Sequence, residues 1–199
     1  MYRMIGNQYR KPSGLLGRII AKKMTLGNIP VYNKIIPGLG IKPNDRILEI
    51  GYGLGVGIDK IVSDYDCFVS GIDFSDLMYK LASKKNKKHI TNGKAELHHG
   101  DFLTTEMILN QFDIIFCTNV IYFWINLDEP FSKIKTLLKD GGLLCIFMAS
   151  SDFLTKKKFT KDGIFCKYSI GRVVDALTSA GFRDVNYEFK KAYIIKCRK

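Results

Sequence analysis

The chain has 199 residues, 46% of them hydrophobic and 12% aromatic, which predicts one folded domain and excludes a disordered chain. We expect no transmembrane segment and no signal peptide, since no apolar run reaches the ~18 residues that cross a bilayer. Cytoplasm is therefore the expected compartment. The five cysteines are scattered and odd in number, which predicts buried free thiols.

The net charge of +12 is unevenly distributed. Residues 1–46 carry +8 and residues 151–199 carry +7, whereas residues 101–150 carry −3. Such basic ends are typical of proteins that meet an anionic substrate, nucleic acid or an acidic membrane surface. Because most of these residues are lysines at helix-surface spacing, ordinary solvated faces are the preferred interpretation.

The N-terminal part predicts helices. Residues 14–26 place apolar side chains on one side of a helix, namely Leu15, Leu16, Ile19, Ile20 and Met24. This helix is predicted to end at Gly27-Asn28, and a second short helix is expected to begin near Pro30.

From residue 46 the pattern alternates between strands and helices. Helices are predicted from Ser75 to Lys85, over 130–139 and over 169–182. The predicted buried strands are the runs RILEI, CFVSGID, AELHH, FDIIFC and LLCIFMA. This alternation predicts a doubly wound, mostly parallel α/β sheet with helices on both faces, finished by an antiparallel hairpin over 183–189 and 192–198.

The stretch ILEIGYGLGVG joins the first strand to a helix and predicts a nucleotide-type site. A P-loop is excluded because no Lys-Ser or Lys-Thr follows the glycines. A dinucleotide fingerprint lacks its third glycine, since Val56 or Ile58 stands at that position in the two possible registers. A nicotinamide dehydrogenase is therefore disfavoured, although not excluded.

Glu49 precedes these glycines in the pattern E-x-G-x-G-x-G, which resembles motif I of the class I S-adenosylmethionine-dependent methyltransferases. Asp73 follows the second strand, 22 residues after Gly51, and Asp101 follows the third. The sequence NVIYFW from Asn119 follows the fourth strand, where this family faces the sulfonium. Four sites in the family's order make the resemblance fairly specific.

The resemblance implies a fold, a domain organisation and a cofactor. We expect a seven-stranded Rossmann-like sheet of order 3-2-1-4-5-7-6, with residues 45–199 forming the cofactor-binding domain and residues 1–44 a helical lid. The implied cofactor is S-adenosylmethionine, with S-adenosylhomocysteine as product. Implied cofactor contacts are Glu49, Gly51, Tyr52, Gly53, Gly55, Asp73, Phe74, Asp101, Phe102 and Asn119.

The same resemblance implies a substrate site near the lid and the fourth strand. The substrate candidates are Tyr9, Arg10, Tyr122, Trp124 and Asp152. The catalytic group stays unassigned, with Asn119, Tyr122 and Trp124 as candidates. No metal is expected, because His98 and His99 lack a third ligand at suitable spacing.

The methyl acceptor is the least determined property. NVIY lacks the proline pair of the enzymes that methylate amino groups of nucleic-acid bases, and Cys117-Thr118 is reversed relative to the loop of cytosine C5 enzymes. The chain is most similar to the small-molecule branch with type 11-like motifs. The alternatives are an RNA or protein methyltransferase and a non-catalytic cofactor-binding module. A monomer or homodimer is expected.

Overall fold

The computed structural model describes residues 2–161 and 163–199. Across these residues the chain builds one mixed sheet of seven strands in the order β3-β2-β1-β4-β5-β7-β6. The strands are β1 (Arg46–Ile50), β2 (Phe68–Asp73), β3 (Ala95–His99), β4 (Phe112–Thr118), β5 (Leu138–Ala149), β6 (Arg183–Phe189) and β7 (Ala192–Arg198). The predicted fold class and strand order are confirmed.

Helices flank this sheet and precede it. They are α1 (Tyr2–Arg10), α2 (Gly14–Ile35), α3 (Val56–Asp64), α4 (Asp76–Lys85), α5 (Lys87–Thr91), α6 (Asp128–Leu137), α7 (Ser151–Thr155) and α8 (Ile170–Ser179). The Ser75 and Ser169 side chains accept hydrogen bonds from the first turns of α4 and α8, as capping serines do. In the described part of the chain no helix is long and apolar enough to cross a membrane.

Alternation along the strands divides the core between two faces. Leu48 and Ile50 of β1 belong to a cluster with α6 and α8. Ile47 belongs to the opposite cluster, which includes residues of α2, α3 and α4. β1 pairs in parallel with β2 on one side and with β4 on the other, so the strand order reverses there. Ligands of open α/β sheets bind at such a reversal, beyond the carboxyl ends of the strands.

The N-terminal helix differs from its prediction. α2 continues through the predicted stop at Gly27-Asn28 and contains Pro30 in its interior. A proline removes one helical hydrogen bond, and burial of Tyr32 and Ile35 on the following turns holds the helix together. The predicted apolar side is split, because Ile20 is buried while Leu15 and Ile19 point into solvent.

Several smaller elements also depart from the predictions. The sequence did not indicate α1, α5 or α7. α6 begins at Asp128, two residues before its predicted start, and Leu138 already belongs to β5, where the pairing with β4 shifts in register. Four of the five cysteines are buried free thiols as predicted, and Cys166 is half-buried.

Candidate functional site

A turn rich in left-handed backbone leaves the carboxyl end of β1. Gly51, Gly53 and Gly55 have φ angles of +75°, +54° and +70°, which side-chain-bearing residues rarely adopt. A Cβ on Gly51 would collide with Val120 of the loop after β4. Glycine is therefore required here both for the turn and for the approach of two neighbouring strand-end loops.

A cavity of about 280 Å³ lies over this turn, at the carboxyl edge of the sheet. Its floor and sides come from the ends of β1 to β4, and its cover comes from the N-terminal helices. The strand-end lining includes Gly51, Tyr52, Gly53, Asp73, Phe74, Asp101, Phe102, Asn119 and Trp124, and the cover includes Tyr9, Arg10, Met24, Thr25, Asn28 and Tyr32.

Asp73 organises the glycine turn. Its Oδ2 accepts a hydrogen bond from the Gly53 backbone N–H and its Oδ1 one from the Ser75 N–H, each at 2.9 Å. Burial raises the pKa of this carboxyl to about 6, although the two amide donors oppose the shift. A carboxylate has further lone pairs, so Asp73 can also accept hydroxyl donors of a ligand in the cavity.

Glu49 is fully buried behind the glycine turn. Its Oε1 accepts a hydrogen bond of 2.7 Å from the Tyr32 hydroxyl, while Oε2 has no hydrogen-bond partner within the described residues. Burial raises the pKa of Glu49 to about 8, with the Tyr32 bond opposing the shift, the nearby Asp73 charge adding to it and the Ile58 backbone N–H opposing it. A buried acceptor without a partner, beside a cavity that Tyr32 lines, suits a cationic ligand group.

The loop after β3 brings a carboxylate and an aromatic ring to the cavity. Asp101 is exposed and accepts the Leu103 N–H at 2.9 Å, while Phe102 is buried with its ring centroid 6.1 Å from that of Trp124. Lys133 of α6 donates to the Leu103 and Thr105 carbonyls, which holds this loop in place. Phe102 offers an apolar face and Asp101 an adjacent hydrogen-bond acceptor, which together suit a planar base with an amino group.

Asn119 connects the loop after β4 to the cover. Its φ angle is +60°, its Nδ2 donates to Asn28 of α2 at 3.1 Å, and its Oδ1 accepts from the Tyr122 hydroxyl at 3.0 Å. The Tyr122 oxygen also accepts the Ala149 N–H, and burial raises the pKa of the phenol well above its usual range. Tyr122 thus holds the loop from inside the core, which leaves it unsuited to proton transfer.

The backbone angle of Asn119 leads to a stability prediction. Asn119→Ala and Asn119→Gly remove the same side-chain bonds, but only alanine retains a Cβ in the left-handed region, at a cost of about 1–2 kcal/mol. We expect Asn119→Ala to be the less stable of the two by about 1 kcal/mol in urea unfolding. Equal stabilities would mean that the loop relaxes out of this conformation.

The N-terminal segment is tied down over the cavity. The buried Ser75 hydroxyl donates to the Pro12 carbonyl at 2.7 Å. Arg10 and Lys11 lie 5.8 and 5.5 Å from the centre of the Phe74 ring. Tyr9 stacks on Phe159 with ring centroids 4.3 Å apart. α1, α2 and their linker therefore form a cover with contacts to three separate loops.

Not every residue predicted for the site lines the cavity. Glu49 is buried behind the glycine turn, Gly55 caps the start of α3 and packs against Asn86, Tyr122 lies in the core, and Asp152 is exposed in the first turn of α7. Asp152 lies away from the cavity because the chain turns into α7 directly after β5. Conversely, Asn28 and Tyr32 line the cavity without having been predicted, since only the folding of α2 over the sheet brings them there.

Comparisons with known proteins find methyltransferases among the sequences similar to this chain. Residues 47–142 match a family model described as a methyltransferase domain. A sterol 24-C-methyltransferase of Gibberella zeae is 24% identical over 161 residues, which cover 75% of this chain and 42% of that protein. Phosphoethanolamine N-methyltransferase of Plasmodium falciparum is 28% identical over 170 residues, covering 80% of this chain and 61% of that enzyme.

A solved structure has the same fold. Phosphoethanolamine N-methyltransferase 2 of Haemonchus contortus, in complex with phosphomonomethylethanolamine and S-adenosylhomocysteine, superimposes with a TM-score of 0.71 at 24% identity. The match covers 80% of this chain and 38% of that one. This chain therefore spans roughly half the length of these relatives. Residues 47–142 are thus similar to methyltransferase domains, and the sheet has the fold of a methyltransferase of known structure.

Proposed function

We propose that the protein transfers a methyl group from S-adenosylmethionine to a small-molecule acceptor. The observation that carries this is the meeting of Asp73 and Asp101 from successive strand ends at one glycine-lined cavity, with Glu49 buried behind the glycine turn and bonded to Tyr32, which lines that cavity. Glu49 fits the cationic amino group of the methionine part, Asp73 the ribose hydroxyls, and Asp101 with Phe102 the adenine. When bound, the cofactor supplies a methyl group on a sulfonium that is ready for displacement.

The protein's part in such a displacement is alignment and exclusion of water. α1 and α2 close the cavity from above, and Phe123 and Trp124 border it on the side of the β4 loop. Aromatic faces near a cation are worth about 0.5–2 kcal/mol, depending on desolvation. The cover and the aromatic wall are accordingly the parts of the chain that we assign to acceptor positioning.

The lining beyond the cofactor contacts favours an acceptor with an apolar or aromatic body. It consists largely of apolar side chains, namely Tyr9, Met24, Leu103, Phe123, Trp124 and Ile125. An apolar acceptor fits the likeness to sterol methyltransferases. Small apolar molecules with an ionisable nucleophile are thus the first class to test.

Phosphoethanolamine is the second candidate, and Arg10 is the residue that favours it. Arg10 borders the cavity and could pair with a phosphate, and the likeness to phosphoethanolamine methyltransferases supports this class. Arg10→Gln should weaken binding of phosphoethanolamine while leaving apolar acceptors unaffected.

The test begins with thermal unfolding in the presence of S-adenosylmethionine, S-adenosylhomocysteine or NAD. A ligand that binds only the folded protein adds about 2.7 kcal/mol at a hundred times its dissociation constant. We expect the two adenosyl ligands to raise the melting temperature and NAD not to do so. Transfer of labelled methyl to phenols, acids, thiols, sterols and phosphoethanolamine then identifies the acceptor; stabilisation by NAD alone would refute the proposal.

Asp73→Ala should weaken cofactor binding by tenfold or more, because each hydrogen bond to a charged group contributes about 1.5–3 kcal/mol. Asp76→Ala is the matched control, because it removes the same charge from an exposed side chain that is paired with Lys80. Isothermal titration of both variants with S-adenosylhomocysteine measures the difference. Equal affinities in two folded variants would remove Asp73 from the site.

Two alternatives have distinct signatures. An RNA methyltransferase would bind RNA with a steep salt dependence, because contacts to phosphates release counterions. A non-catalytic module would bind the cofactor without turnover on any acceptor. A cytoplasmic location and a monomeric or homodimeric state complete the proposal, the former supported by the free thiols and the latter tested by sedimentation.

A further inference from the structure

The outer side of α2 is apolar and exposed. Leu15, Ile19 and Leu26 are 81%, 67% and 62% exposed. They follow one another at i, i+4 and i+11, which aligns them in one stripe along the helix. We call these three residues the outer stripe. Monomeric proteins rarely expose aligned aliphatic side chains without a partner for them.

The opposite side of the same helix faces the cavity. Ala21, Met24, Thr25 and Asn28 line it, and Asn28 is bonded to Asn119. α2 is thus apolar toward solvent as well as toward the protein. Packing within the chain does not account for the outer stripe.

Basic residues accompany the outer stripe. Arg18, Lys22 and Lys23 are exposed on the turns between Leu15 and Leu26, and none of them forms an ion pair with another described residue. Residues 1–44 contain eight Lys or Arg and no Asp or Glu. The surface around α2 therefore combines aliphatic side chains with unbalanced positive charge.

We propose that the outer face of α2 docks on an acidic lipid bilayer. Exposed aliphatic groups among cations define an interfacial helix, which buries its apolar side chains at the boundary between headgroups and acyl chains. Each Lys or Arg near an anionic leaflet adds about 1 kcal/mol. Nucleic acid would use the cations but would leave Leu15, Ile19 and Leu26 in water, so a lipid surface suits all six side chains better.

Docking would bring the cavity close to the bilayer. A helix with its side chains is about 10–12 Å across, and α2 alone separates the outer stripe from the cavity. Ile125, which borders the cavity, is itself 91% exposed. Under the proposed function, such an arrangement favours acceptors that are carried in or at the lipid layer.

The experiment is co-sedimentation of the full chain, without cofactor, with vesicles of phosphatidylcholine or of phosphatidylcholine and phosphatidylserine in equal parts. We expect binding to the acidic vesicles that exceeds binding to the neutral ones at least tenfold and falls with added salt. Leu15→Gln/Ile19→Gln/Leu26→Gln and Arg18→Gln/Lys22→Gln/Lys23→Gln should each reduce it at least tenfold. Their melting temperatures should stay at the wild-type value, because the positions are exposed.

Two matched controls separate this surface from general charge and hydrophobicity. Lys84→Gln/Lys87→Gln/Lys88→Gln removes the same charge from exposed positions on α4 and α5. Ile108→Gln/Leu109→Gln removes exposed aliphatic groups just before the start of β4, at the end of the sheet opposite to the carboxyl ends that form the cavity. Both should bind the acidic vesicles like the wild type.

Several outcomes would overturn the proposal. Equal losses in the α2 variants and the controls would show that net charge alone drives binding. Salt-sensitive binding to RNA without binding to vesicles would assign the cations to nucleic acid. A stripe variant that changes the oligomeric state and leaves vesicle binding intact would assign the stripe to a second copy of the chain. None of these results depends on methyl transfer, so the proposed function stands or falls separately.

Discussion

Cofactor binding near pH 7 should release close to one proton from the wild-type protein and far less from a Glu49→Gln variant. In the free protein burial holds the pKa of Glu49 at about 8, compared with an ordinary 4.5, so the carboxyl is mostly neutral at pH 7. A cationic amino group entering the cavity beside Tyr32 stabilises the carboxylate and displaces the proton. Isothermal titration with S-adenosylmethionine in buffers of different ionisation enthalpy measures the number of protons released.

The glutamine variant serves as the control because it keeps the shape of the side chain and an acceptor for the Tyr32 hydroxyl. Because the amino group of the cofactor and Glu49 titrate as a coupled pair, the difference between the two proteins reports the protons of that pair. Loss of the carboxylate should also weaken affinity about tenfold to a hundredfold, since a hydrogen bond to a charged group contributes about 1.5–3 kcal/mol. Equal proton counts and equal affinities would show that Glu49 does not serve the methionine end.

The same pKa has a consequence for the stability of the ligand-free protein. A carboxyl group whose pKa is raised by folding stabilises the protein fully at pH values below its pKa in the unfolded chain. This stabilisation is lost as the pH rises through the pKa of the group in the folded protein. Stability should therefore fall between about pH 4.5 and pH 8 in the wild type and fall less in Glu49→Gln. Asp73, with its pKa raised to about 6, contributes in the same direction in both proteins.

Much of the sheet could be predicted because burial on both faces leaves a direct trace in the sequence. β1 is such a run, RILEI, whereas β6 is largely exposed and coincides, like β7, with a strand-like run of the predicted hairpin. Parallel strands bring their carboxyl ends to one edge, so acids that follow successive strands must lie near one another. The resemblance implied that Asp73 and Asp101 serve one site, and this geometric rule agrees with that assignment.

The resemblance implied a helical lid, but the course and orientation of its helices could not be predicted in the same way. Pro30 ordinarily ends a helix, yet α2 passes through it because the turns beyond it are anchored in the core. The apolar residues near its start are predicted to share one side of a helix, and in the structure Leu15 and Ile19 of that side are exposed. A local period shows which residues share a side of a helix, and it does not show which side meets the protein.

The bond between Tyr32 and Glu49 shows the limit for individual site residues. The two lie 17 residues apart and on different elements, and they meet only because α2 crosses behind the glycine turn. Nothing in the neighbourhood of Tyr32 marks it as polar in function, because a tyrosine on an apolar helix face ordinarily packs. Long-range pairs of this kind follow from tertiary packing, which a single sequence does not display.

Gly57→Ala should lower the free energy of unfolding by about 1–3 kcal/mol, which is the usual cost of inserting a methyl group into a well-packed core. A Cβ at Gly57 would lie 2.6 and 2.8 Å from the two Glu49 carboxylate oxygens and 2.8 Å from the Tyr32 ring. Both partners are buried and bonded to each other, so neither can move aside cheaply. Urea unfolding gives the change in stability, and titration with S-adenosylhomocysteine should show weaker binding because Glu49 is displaced.

Gly171→Ala is the matched control, since Gly171 is likewise the second residue of its helix and a Cβ there meets nothing within 4 Å. Its substitution should raise stability by up to about 1 kcal/mol, because alanine favours the helix over glycine. Stability changes of opposite sign at these two equivalent helix positions would therefore report the close packing around Glu49 and not helix propensity. If both variants gain stability, the space behind the glycine turn is looser than the structure shows. The desolvation that raises the Glu49 pKa, and the proton release that depends on it, would then be lost together.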